Sequence, residues 1–179
     1  MIIEIGTSDF RTLAGKEDGI FIEPVQEYFK RLPDCIKENV AISNYEGTAN
    51  FYYIPSEIIK ELGLPDWLRG CNSIGEPHKT IVKSGWGEHV VCDEVPVLRI
   101  KTIIDKYSVT SIDLLKIDTE GHDTVILNDF LDTVDFLPNK ILFENNELSN
   151  KEDVKQLIKR LRNLGYNIKP VKTDLLCEL

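Results

Sequence analysis

Ile2-Ile3-Glu4-Ile5-Gly6, Gly19-Ile20-Phe21-Ile22-Glu23-Pro24 and Asn39-Val40-Ala41-Ile42-Ser43 are three short apolar runs within the first 43 residues. Runs this short, bounded by turn-forming residues, suit buried strands better than helices. Between the second and third, Val25, Tyr28, Phe29 and Leu32 recur at helical spacing, and Pro33 stops the helix. Between the first two, Phe10 to Lys16 leaves room for two helical turns. Strand, helix, strand, helix, strand is the order of an α/β protein with a parallel sheet and crossover helices.

The remainder extends this pattern. Ile112–Ile117 and Lys140–Phe143 read as further buried strands. Ser149 with Glu152 three residues on suggests a capping box for a helix that carries Val154, Leu157, Ile158, Leu161 and Leu164 as its apolar stripe and ends at Gly165. Asn167–Lys172 and Asp174–Leu179 form a closing hairpin. Ala49–Ile54 is an extra strand whose natural antiparallel partner is Val95–Ile100, and Lys101–Tyr107 is a short helix. Residues 55–97 form an irregular insertion within one domain spanning 1–179. Ser56–Leu62 is a short helix there, and Leu64–Glu88 reads as loop, with Gly70, Gly75, Gly85 and Gly87; long irregular loops are commonly functional, so a lid is expected.

Composition narrows the function. With 179 residues, 42% hydrophobic and 28% charged, the chain suits one soluble domain. A net charge of −9 argues against binding a nucleic-acid backbone. Residues 151–172 carry seven Lys/Arg against two Asp/Glu, which fits a solvated helix face. No apolar run is long enough to span a membrane, and the N-terminus lacks a signal-peptide pattern, so a cytoplasmic location is expected. Cys35, Cys71, Cys92 and Cys177 have no zinc or redox spacing, and His78, His89 and His122 are scattered, so no metal ligand is assigned.

Ligands of open parallel sheets sit at the carboxyl ends of the strands. The residues delivered there are Glu4 to Asp9, Glu23-Pro24, Ala41 to Ser43, Lys116 to Asp123, and Glu144 to Asn146. Gly6 permits close backbone approach. Glu23 ends its strand where a carboxylate can accept both hydroxyls of a ribose. Glu4, Asp9 and Asp118 gather negative charge where a pyrophosphate would be repelled and a sulfonium welcomed. Asp118 follows a buried strand, a firm mount for a catalytic group, and could equally cap the next helix.

These residues carry a family resemblance. Ile3 to Asp9 resembles the first motif of FkbM-type methyltransferases, Phe21 to Pro24 the second, and Asn39 to Ser43 the third. Leu114-Leu115-Lys116-Ile117-Asp118-Thr119-Glu120-Gly121-His122-Asp123 is the most specific match, and Ile141 to Glu144 resembles the strand that follows. The resemblance implies a Rossmann-like class I methyltransferase fold. Its seven-stranded, mostly parallel sheet would run in the order 3-2-1-4-5-7-6, with a C-terminal antiparallel hairpin. It implies methyl transfer from S-adenosylmethionine, typically to an oxygen of a small-molecule or sugar-type acceptor. The implied cofactor residues are Glu4, Gly6, Thr7, Ser8, Asp9, Glu23, Pro24, Ala41, Ile42 and Asp118; the implied catalytic residues are Asp118, Glu120, His122 and Glu144. Phe10 stands where the family's first motif usually has a second glycine, the helix after Gly6 is expected to be short, and the leading segment of many relatives is expected to be lacking. Phe10 favours a second reading, a non-catalytic protein of this fold acting as a binding or partner subunit. A nicotinamide-dependent enzyme is disfavoured, because no G-x-G-x-x-G run follows the first strand.

Overall fold

The structure is a computed structural model that describes every residue except 9–11 and 147. The strands are β1 (Ile2–Ile5), β2 (Gly19–Ile22), β3 (Ile36–Glu38), β4 (Ala41–Ile42), β5 (Gly47–Tyr53), β6 (Ser73–Ile74), β7 (Val91–Leu98), β8 (Leu114–Ile117), β9 (Lys140–Glu144), β10 (Asn167–Val171) and β11 (Asp174–Glu178). The α-helices are α1 (Gln26–Arg31), α2 (Ser56–Glu61), α3 (Lys79–Lys83), α4 (Ile100–Lys106), α5 (Asp123–Thr133) and α6 (Lys151–Asn163). Seven strands form one sheet in the order β10-β11-β9-β8-β1-β2-β3. Its first five members in chain order run parallel, and the β10–β11 hairpin is antiparallel. This is the expected order.

Alternation assigns the faces. Ile3, Ile5, Ile20, Ile22, Leu115 and Ile117 pack with α4, α5 and α6 in the main core. Phe21, between Ile20 and Ile22, faces the other way onto Ala14 and Leu32. Glu4 and Lys116 occupy the same register in neighbouring strands. They form a buried ion pair, which explains how a lysine sits inside an apolar central strand.

The third strand departs from the expectation. Ile36–Glu38 pairs with β2, whereas Ala41–Ile42 leaves the main sheet and pairs with β7. Asn39 marks the break: its side-chain amide donates to the carbonyls of Glu23 and Pro24 and turns the chain between the sheets. β4, β7, β5 and β6 make a second, four-stranded sheet. The antiparallel β5–β7 pair within it is the expected one, with Ala49 opposite Val95.

Three local expectations also differ. Residues 12–17 form a turn closed by an Ala14–Glu17 bridge rather than helix, and the rest of the predicted Phe10–Lys16 helix lies outside the described residues. Residues 64–88 contain two 3₁₀ turns, β6 and α3, and are not plain loop. Ile54, Ile59, Leu68, Cys71 and Ile81 form a small core beneath them. The N-cap of α6 is Asn150, whose side chain accepts from the amides of Glu152 and Asp153. Ser149 instead lies 3.4 Å from the Glu144 carbonyl. No helix among the described residues is long and apolar enough to cross a membrane.

Candidate functional site

A parallel sheet brings the carboxyl ends of β1, β2, β8 and β9 to one edge. A cavity of about 740 Å³ opens there, between that edge and the second sheet with its insertion. Gly6, Ser8, Glu23, Pro24, Ala41, Ile42, Asp118, Glu120, His122 and Glu144 line it, so ten of the twelve expected site residues that are described come together. Two do not line it. Glu4 is wholly buried and engaged with Lys116, the Thr12 hydroxyl and the Leu13 amide. Its charge is neutralised within the sheet. Thr7 is buried behind Glu23, to which its hydroxyl points at 3.4 Å. Asp9 and Phe10 lie outside the described residues.

Glu23 is 2% exposed and firmly held. Its carboxylate accepts from the Ser8 amide at 2.7 Å and from the Val25 amide at 2.8 Å. With the Thr7 hydroxyl nearby, these bonds fix the orientation of the carboxylate at the edge of the cavity. Gly6 has a sharper reason to be glycine than ligand approach alone. Its φ is +79°, and a Cβ there would sit 2.0 Å from the Asp118 carbonyl oxygen. Gly6 therefore lets the ends of β1 and β8 close together.

The loop after β8 is held from three sides. Asp123, buried at the start of α5, accepts from the amides of Thr119 at 3.0 Å and Glu144 at 2.8 Å. His122 Nε2 lies 2.9 Å from Ser43 Oγ. Glu120 Oε2 lies 3.1 Å from Nε2 of His78, a residue of the insertion. Glu120 itself has φ +54°, rare for a residue with a side chain. Gly121 follows at φ +97°, where a Cβ would come within 3.0 Å of the Leu148 carbonyl.

Charge is concentrated in this corner. Burial pushes the Asp118 carboxyl up to about 6, with Glu120 adding to the shift and Lys116 opposing it. Burial pushes Glu144 up to about 9, reinforced by Glu120 and Asp118. Burial likewise raises Asp123 to about 7 and lowers His122, keeping its ring neutral at physiological pH. Glu144 Oε2 is buried without a hydrogen-bond partner among the described residues. Asp118, Glu120 and Glu144 offer oxygens that all lie within 4.8 Å of one another. Such an oxygen set could hold a hard divalent cation. Sequence spacing does not show this, because Asp118 and Glu120 lie in the loop after β8 and Glu144 ends β9.

The sequence reading missed the opposite wall. Phe51, Trp67, Gly70, Cys71, Asn72 and Ile74 line it. Trp67 is 46% exposed and packs on Trp86 with ring centroids 6.0 Å apart. Asn72 Oδ1 is a buried acceptor without a partner among the described residues. Lys172, Thr173 and Asp174 of the final hairpin complete the rim. No local spacing marks Trp67, Asn72 or His78; Asp123 stood in plain view within the Lys116–Asp123 motif.

Comparison with known proteins agrees with this architecture. The family model described as the methyltransferase FkbM domain matches residues 5–168. The chain belongs to the FkbM methyltransferase family. The Methyltransferase FkbM from Methylobacillus flagellatus KT, a crystal structure, shares the fold with a TM-score of 0.58 at 14% identity. The alignment covers 99% of this chain and 43% of that one, so the chain spans less than half the length of this FkbM relative. No curated protein matches the chain.

Proposed function

We propose that this FkbM-family protein is an S-adenosylmethionine-dependent methyltransferase acting on an oxygen of a small-molecule or sugar-type acceptor. The observation that carries the reading is one continuous cavity with two unlike walls. One wall, Gly6, Ser8, Glu23, Pro24, Ala41 and Ile42, suits a nucleoside: a held carboxylate for the ribose beside small and apolar residues for the base. The other, Trp67 and Asn72, suits an acceptor with an apolar ring face and a hydrogen-bond donor. Asp118, Glu120 and Glu144 lie on the same cavity. The bound cofactor would supply an electrophilic methyl group.

The protein's share is positioning, charge and proton removal. Asp118, raised to about 6, is a stronger base than an ordinary carboxylate and still ionised at pH 7. Glu144, raised to about 9, is protonated there and acts as a donor rather than a base. Asp118 is therefore the group to receive the acceptor's proton, with Glu120 beside it on the same cavity, and the charge of Asp118 also favours a sulfonium. A non-catalytic partner subunit is not favoured: the family is one of methyltransferases, and the acids expected to act line one cavity. Calorimetric titration with S-adenosylhomocysteine tests the reading. Binding is expected to the wild type and to weaken for Glu23→Ala by about 1–3 kcal/mol, the value of a charged hydrogen bond. Equal affinity in the two proteins would remove the ribose role of Glu23, and no binding to either would overturn the cofactor assignment.

A further inference from the structure

We infer that His78 is a positioning residue that holds Glu120 in the active site and thereby ties the insertion to the loop after β8. The inference rests on the proposed placement of Glu120 among the reacting groups. His78 is 5% exposed, although it belongs to the segment that the sequence presents as loop. Both ring nitrogens are engaged. Nδ1 accepts from the Thr80 amide at 3.2 Å and caps α3. An imidazole nitrogen that accepts carries no proton in the neutral ring, so the proton sits on Nε2. Nε2–H then donates to Glu120 Oε2 at 3.1 Å. The cap therefore fixes the tautomer that Glu120 needs.

Glu120 has reason to need a holder. Its backbone sits at φ +54°, and its carboxylate shares a 4.8 Å neighbourhood with those of Asp118 and Glu144. Repulsion from the ionised Asp118 and backbone strain both favour swinging it away. A donor reaching across 42 residues from the insertion opposes that, and occupies one carboxylate oxygen while the other remains for the acceptor. The insertion thus takes part in the catalytic geometry as well as covering it.

Two substitutions separate this role from plain helix capping. In His78→Asn the side-chain oxygen falls near the Nδ1 position and can cap α3, but nothing reaches Glu120. In His78→Gln the amide nitrogen falls near the Nε2 position and can still donate to Glu120, while the cap is lost. Hydrogen exchange of the full chain reads both ends at once. For His78→Asn the bonded amides of Thr119 and His122 should exchange about 10- to 100-fold faster, the scale of a lost charged hydrogen bond. The Val82 amide of α3 and the Ser84 amide that closes it should keep wild-type rates. For His78→Gln the loop should return to the wild-type rate and the Thr80 amide should be the one that speeds up. Wild-type loop exchange in His78→Asn, or equal acceleration in both variants, overturns the inference. The core amides of β1 and β8 report whether each variant is folded. The comparison needs neither cofactor nor acceptor, so failure of the wild type to bind S-adenosylhomocysteine would count against the proposed function and leave this result standing.

Discussion

Lys116 and Glu4 face each other across the two central strands, one 13% and the other 0% exposed at the side chain. A charge buried this deeply is tolerated only while its partner remains. Lys116→Met preserves length and apolar contact but leaves the Glu4 carboxylate uncompensated, so it should destabilise the protein by about 3–5 kcal/mol in denaturant unfolding. Glu4→Gln with Lys116→Met should recover much of that loss; if the double variant is no more stable than the single one, packing rather than charge is what Lys116 supplies. Asp118 poses the complementary question, since burial has raised it to about 6 and nothing in the strand neutralises it fully. Asp118→Asn keeps its size and should keep the fold. Turnover should fall about 10²–10⁴-fold, the range of positioned acid–base groups. In the wild type, kcat/KM on the identified acceptor should rise with pH through about 6, as this carboxylate becomes a base. An acid limb that stays in place in Asp118→Asn would assign the titration to another group.

Among the elements, β1, β2, β8 and β9 were legible because each is a short, mostly apolar run with a clear stop, as buried parallel strands read, and the closing hairpin was legible from its turn at Lys172-Thr173. The third strand was not. Ile36 is 46% exposed on an edge strand, so Ile36–Glu38 carries little apolar signal. The stronger run at Val40-Ala41-Ile42 belongs to the second sheet, and it took the Asn39 side chain, bonding back to Glu23 and Pro24, to part the two. Most site residues were legible because the sheet fixes where strand ends go. Trp67, Asn72 and His78 were not, because their position depends on how the insertion packs on itself. Ile59 and Leu68 show how that packing works: both are buried in a core built almost entirely from the insertion. Leu68→Ala should cost about 2–5 kcal/mol of local stability. Hydrogen exchange should accelerate across residues 56–90 and stay unchanged in the seven-stranded sheet. Acceleration that spread to β1 and β8 would show that insertion and sheet unfold as one.

At the scale of the whole molecule, the topology that makes the site also sets its pH response. One sheet edge collects the acids, and the folded protein holds Asp118 near 6, Asp123 near 7 and Glu144 near 9, all by burial above ordinary carboxylate values. Across that range the folded state binds more protons than the unfolded chain, so stability falls as pH rises. The loss begins near the unfolded values of about 4, continues through the folded ones and is complete above about 9. Opposite shifts limit the acid side. The N-terminal amine lowers Asp113, and Lys140 with Lys169 lowers Glu178, and both contributions fade as those groups protonate. Stability should therefore peak on the acid side of neutrality. Glu144 offers the sharpest test, because its Oε2 is buried without a partner among the described residues and ionising it gains no hydrogen bond in return. Glu144→Gln cannot ionise. In the presence of EDTA, its Tm at pH 8.5 should exceed that of the wild type, with each kcal/mol worth about 2–4 °C at this chain length. At pH 5, where the wild-type carboxyl is already neutral, the two Tm values should nearly coincide, and the variant's Tm should fall less steeply between the two pH values. Equal Tm values at pH 8.5 would mean that the protein accommodates a charged Glu144. Replacing EDTA with Mg²⁺ extends the test to the carboxylate trio: a Tm gain at pH 8.5 in the wild type that is absent in Glu144→Gln is expected if Asp118, Glu120 and Glu144 can exchange a proton for a cation.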